Sequence, residues 1–144
     1  MKKILCQSAM LVSALLAVAS PAVASAAVTL KTVMFGTNEI PGPGAPHGKG
    51  KATVTIDTTT NQVCYEIRVS GIDTPTMAHI HSGAAGIAGP VVVPLTPPVN
   101  GMSKGCATAS ADVLAAILAS PSGYYVNVHS ATFPKGGMRG QLHR

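Results

Sequence analysis

Polar and apolar residues alternate in short runs along most of this chain. Ala52, Val54 and Ile56 alternate with Lys51, Thr53, Thr55 and Asp57, while Val63, Tyr65, Ile67 and Val69 alternate with Cys64, Glu66, Arg68 and Ser70. Successive side chains of a strand point to opposite faces, so each run carries one apolar face and one mostly polar face. Thr58-Thr59-Thr60-Asn61 between them has turn chemistry, and the two runs predict a hairpin. Comparable stretches predict strands over 28–35, 77–81, 91–95, 105–108, 124–129 and 138–142. One segment departs from this period: Ser110 is placed to cap a short helix on which Val113, Leu114, Ile117 and Leu118 share a face, with Pro121 and Gly123 ending it. The Gly/Pro-rich stretch 41–50 predicts a long loop, and Pro94 and Pro97-Pro98 predict an edge strand or loop. The expected fold is all-β, a Greek-key β-sandwich or flattened barrel of about seven or eight strands with one short helix.

The first 26 residues follow a different grammar. Lys2 and Lys3 precede an apolar run over 4–18, and small residues end in Ala24-Ser25-Ala26. This order predicts a secretory signal peptide over residues 1–26, with an apolar run too short to span a bilayer. Taking 26 from 144 leaves 118 residues, enough for one domain over 27–144. The expected location is periplasmic or secreted, with no membrane insertion after the signal is removed. Loss of Lys2 and Lys3 lowers the net charge from +5 to about +3, a weak, scattered surplus that argues against nucleic acid as a partner. Cys6 leaves with the signal, and Cys64 and Cys106 remain in an oxidising compartment. They are read as one disulfide, closing a loop worth roughly 4 kcal/mol in the chain-entropy model. Free thiols or a cysteine metal site are the alternatives, disfavoured by the wide spacing and the lack of a Cys-x-x-Cys pair.

Five strings in order resemble the chordin-type (CHRD) domain family. They are Asn38-Glu39-Ile40-Pro41, Ala78-His79-Ile80-His81-Ser82-Gly83, Gly89-Pro90-Val91-Val92, Tyr125-Val126-Asn127-Val128-His129, and the segment from Phe133 through Arg139 to Leu142. The resemblance spans nearly the whole of 27–144. It implies an extracytoplasmic β domain and no defined biochemical role.

The candidate chemistry lies in the histidines. On a strand, His79 and His81 project from the same face about 6.5 to 7 Å apart, a spacing two metal ligands can use. His129 ends a second strand on which Asn127 and His129 share a face. If the strands lie together, three imidazoles converge on a site suited to copper or zinc. Asn127, Arg139 and Gln141 are the expected flanking partners of those ligands; the competing reading is a hydrogen-bonded network of the histidines that holds the 82–90 loop and the end segment around Arg139 and Gln141. His47 is expected to be exposed, and His143 to lie at a fraying terminus. Met34, Met77, Met102 and Met138 offer soft thioethers, although isolated methionines usually fill core gaps.

The His-x-His pair is similar to one in copper-zinc superoxide dismutase, but no histidine stands between His81 and His129, so a bridging imidazole and a zinc cluster have no counterpart. Gly83, Gly86 and Gly89 read as a flexible turn rather than a dinucleotide fingerprint. No hydrolase elbow or paired carboxylates appear. The function expected is an exported single-domain binding protein for copper or zinc. The alternatives are a metal-free domain that binds an extracellular protein or matrix partner, and a mononuclear copper oxidoreductase.

Overall fold

The computed structural model describes residues 26–144. The expected signal peptide over 1–26 therefore lies outside the described residues, save for Ala26. Eight strands form one antiparallel sheet: β1 (Val28–Phe35), β2 (Lys49–Asp57), β3 (Gln62–Ser70), β4 (Pro75–Ser82), β5 (Val91–Leu95), β6 (Met102–Thr108), β7 (Tyr124–Ser130) and β8 (Met138–Gln141). Their order across the sheet is β5-β4-β7-β8-β1-β2-β3-β6. The sheet curls until its two edges approach, so the flattened barrel is realised rather than a sandwich of separate sheets. Tyr65 of β3 reaches past β6 to Thr96, just beyond β5, where its hydroxyl accepts from the Thr96 N–H at 2.8 Å. Pro94 lies in β5, an edge strand, where a residue without an N–H costs no central ladder bond.

The two-residue period decides what faces inward. Leu30, Met34, Val54, Ile56, Val63, Ile67, Ile80, Val126, Val128 and Met138 form the barrel core. The predicted turn closes the β2–β3 hairpin: Asp57 accepts from the Thr59 N–H at 2.8 Å, and Asn61 takes a left-handed φ of 55°. The helix α1 (Ala111–Ala119) joins β6 to β7, its Ser110 cap accepting from the Val113 N–H, and buries Leu114 and Ile117 in the same core. Cys64 on β3 and Cys106 on β6 face each other in register and are disulfide-bonded. No helix among the described residues is long and apolar enough to cross a membrane.

Two expectations change. The C-terminus does not fray: His143 exchanges backbone hydrogen bonds with Lys31 at 2.8 and 2.9 Å, and the Arg144 guanidinium donates to the Leu118 carbonyl. The positive charge is not scattered either. Lys31, Lys49, Lys51, Arg68 and Lys104 are exposed on one outer face, because the register of β1, β2, β3 and β6 aligns their outward positions.

Candidate metal centre

Along β4, Ala78 and Ile80 point into the barrel, which sends Met77, His79 and His81 outward. Along β7, Val126 and Val128 point inward and Tyr125, Asn127 and His129 outward. The β4–β7 register places His79 opposite Asn127, His81 opposite Tyr125 and Met77 opposite His129. Both sequence-predicted histidine strands are thus neighbours, although some 40 residues and three elements separate them in the chain. The imidazole centroids lie 5.2 Å apart for His79 and His129, 5.5 Å for His79 and His81, and 6.1 Å for His81 and His129. One ring nitrogen from each lies within 4.8 Å of those of the other two.

Backbone carbonyls fix two of these rings. His81 Nδ1 is 2.9 Å from the Gly89 oxygen, and His129 Nδ1 is 3.2 Å from the Pro134 oxygen. A carbonyl only accepts, so both Nδ1 atoms carry the proton and both Nε2 atoms present a lone pair. His81 Nε2 is buried and has no hydrogen-bond partner. His129 Nε2 lies 3.3 Å from His79 Nδ1, which donates to it; moving the His79 proton to Nε2 frees a third lone pair. Two donors on a tetrahedral ion at 2.0–2.1 Å are about 3.4 Å apart, so nitrogens separated by up to 4.8 Å would close by up to about 1.4 Å through ring and strand adjustments.

The surroundings keep the rings neutral. Burial holds all three pKa values below the ordinary histidine value, assisted at His79 by the other two imidazoles and at His81 by the positive charge of Arg139. His79 falls to about 4. The neutral imidazole is the form that binds metal. The metal-free protein should therefore weaken in acid. Below pH 6.5 the unfolded chain takes up protons that the folded histidines refuse, so stability is lost as pH falls from about 6.5 towards 4. Glu39, whose folded pKa is raised above 4.5 mainly by burial, works the other way at the acid end of that window. With three histidines against one carboxyl, the urea midpoint is expected to be lower at pH 5 than at pH 7. An equal or higher midpoint at pH 5 would contradict these neutral rings.

Asn127, Arg139 and Gln141, the predicted flanking groups, all lie on this outer face; each hydrogen-bonds to a loop, and Arg139 also reaches His81 through Tyr125. Gln141 donates to the carbonyls of Gly83 and Ser122 at 2.9 and 2.7 Å. Arg139, 2% exposed, donates to those of Ala84 and Ile87 and lies 3.9 Å over the Tyr125 ring. Tyr125 stacks in turn on His81, with centroids 4.9 Å apart and planes 7° apart. The glycine series over 83–89, expected to be a flexible turn, is thus clipped to the sheet, because its carbonyls satisfy buried side-chain donors. Asn127 donates to both carboxylate oxygens of Glu39.

Glu39 and Tyr125 were not legible as site residues. Glu39 is buried in the 39–48 loop and fits only because Gly136, at φ 144°, leaves room: a Cβ there would stand 1.8 Å from its Oε2. Its readable signal was its place in the Asn38-Glu39-Ile40-Pro41 string, just before the Gly/Pro-rich stretch. Of the remaining candidates, His47 is exposed, Met34 and Met138 lie in the core, and Met77 and Met102 are exposed.

Gly89 offers a direct test of the carbonyl that orients His81. An added Cβ would lie 1.5 Å from the Ser82 oxygen, a backbone atom that cannot swing aside. Gly89→Ala should displace the loop and release His81 Nδ1, and if His81 ligates a metal its affinity should fall by about 10–100-fold, the usual effect of losing an outer partner of a ligand. Affinity unchanged in a folded variant would show that the Gly89 carbonyl does not matter.

A model of the CHRD domain family matches residues 30–142. No curated protein sequence and no solved structure matches the chain.

Proposed function

This chain belongs to the CHRD domain family, and on that premise we propose that it is an exported single-domain protein that binds one copper or zinc ion through His79, His81 and His129. The observation that carries this reading is the convergence of three neutral imidazoles, two of them with Nδ1 held by a backbone carbonyl so that Nε2 keeps its lone pair. Four buried side-chain atoms among the described residues have no partner, Ser103 Oγ, Asn127 Oδ1, Arg139 Nη1 and His81 Nε2; of these only His81 Nε2 is an imidazole lone pair that can ligate, and leaving it unpaired costs about 1–3 kcal/mol. A metal ion would offset that cost. The Cys64–Cys106 disulfide supports export, since such bonds persist in oxidising compartments.

The site needs little preparation. Arg139, Tyr125 and Gly89 hold the His81 ring, and Pro134 holds His129, so binding requires one proton shift on His79 and an inward movement of the rings by about an ångström. A protein already in its binding conformation loses less free energy to ordering. Titration of the metal-free protein with Cu or Zn at pH 7.4 should give one ion per chain. No uptake of either metal would sink the proposal.

A further inference from the structure

We propose that Met77 supplies a thioether to the ion held by the three histidines and that this ion is cuprous copper; the inference rests on the metal-binding reading above. Met77 shares the outer face of β4 with His79 and His81 and stands directly opposite His129 across the β4–β7 pair. Residues so opposed have Cβ atoms about 4.5–5.5 Å apart. The three side-chain torsions of methionine let its sulfur swing across that gap. Its exposure is also telling: Met34 and Met138 are fully buried in the core, the usual place for methionine, whereas Met77 is 43% exposed beside the histidines.

Charge points the same way. The group contains only imidazoles, so no anionic ligand offsets the charge of an ion. The nearest buried carboxylate, Glu39, is engaged by Asn127, and the positive charge of Arg139 acts on His81. A partly buried cation without a counter-charge is less costly as +1 than as +2. Imidazole accepts zinc and copper alike, while a thioether favours Cu(I). Neutral donors, a neighbouring cation and a soft sulfur together select the monovalent ion.

The test compares wild type, Met77→Leu, Met102→Leu and His129→Ala. Cuprous ion is titrated anaerobically against a chromophoric Cu(I) chelator, and zinc against a zinc indicator. Met77→Leu should weaken Cu(I) binding at least about tenfold, no less than loss of an outer partner does, and leave zinc binding unchanged. It should also remove a sulfur neighbour of copper from the X-ray absorption spectrum. Met102, 49% exposed on β6, serves as the control and should change nothing. Cu(I) affinity equal to wild type in Met77→Leu would overturn the thioether while His129→Ala still tested the histidine site. Wild-type protein that binds neither ion would overturn both this inference and the reading beneath it.

Discussion

Replacing His129 with alanine should lower metal affinity by more than about 100-fold, beyond what loss of an outer partner brings, while leaving the barrel folded. In the proposed site His129 supplies one of three donors, and the remaining pair, His79 and His81, cannot close a three-nitrogen site. It is also the residue that joins two strands distant in sequence, since His79 and His81 share β4 and only His129 comes from β7. The competing reading, a structural network, predicts a different result. There His129→Ala would lose its bond to the Pro134 carbonyl at a stability cost of about 1–3 kcal/mol, with no metal bound to either protein. Calorimetric metal titration and urea unfolding of both proteins separate the two. A variant that binds metal like wild type would remove His129 from the site.

The second large effect is on stability. The double variant Cys64→Ala/Cys106→Ala should lose about 4 kcal/mol, because the bond closes a loop of 42 residues in the unfolded chain. Cys106 is exposed and Cys64 only half-buried, so little packing is lost with them and the effect falls mainly on the unfolded state. The bond spans β3 to β6, and β6 is an edge strand with β3 as its one sheet neighbour. Against a typical total of about 5–15 kcal/mol, such a loss is large. The urea midpoint should fall accordingly, and reduction of the wild-type disulfide should reproduce the shift. A loss under about 1 kcal/mol would mean that the unfolded chain is already compact across this loop.

Pro134 lies in a turn tied down by Asp73, which accepts from the Ser130 hydroxyl and from the backbone and side chain of Thr132. These bonds hold the Asp73 carboxyl below its ordinary pKa. The 39–48 loop is held in a similar way, with Glu39 on Asn127 and the Ala45 N–H donating to the Gly137 carbonyl at 2.8 Å. Three loops from separate parts of the chain thus converge on the outer face of β4, β7 and β8. Each satisfies a side-chain donor or acceptor that the sheet presents.

The sequence by itself determined the strands, the helix, the disulfide and the shared face of His79 and His81. These follow from local rules: side chains repeat every two residues in a strand, a serine precedes a helix, and two cysteines in an oxidising compartment pair. It also narrowed the site to three histidines, although at that level a ligand set and a buried network were equally consistent. Tertiary structure alone decided that β7 lies beside β4, that Glu39 enters from a distant loop, and that the cations share one face. It alone showed which nitrogen of each ring is engaged and left His81 Nε2 buried without a partner. The physical reason is the range of the interactions. Periodicity and capping are properties of adjacent residues, whereas sheet order, register and the partner of a buried polar atom depend on segments brought together only by folding.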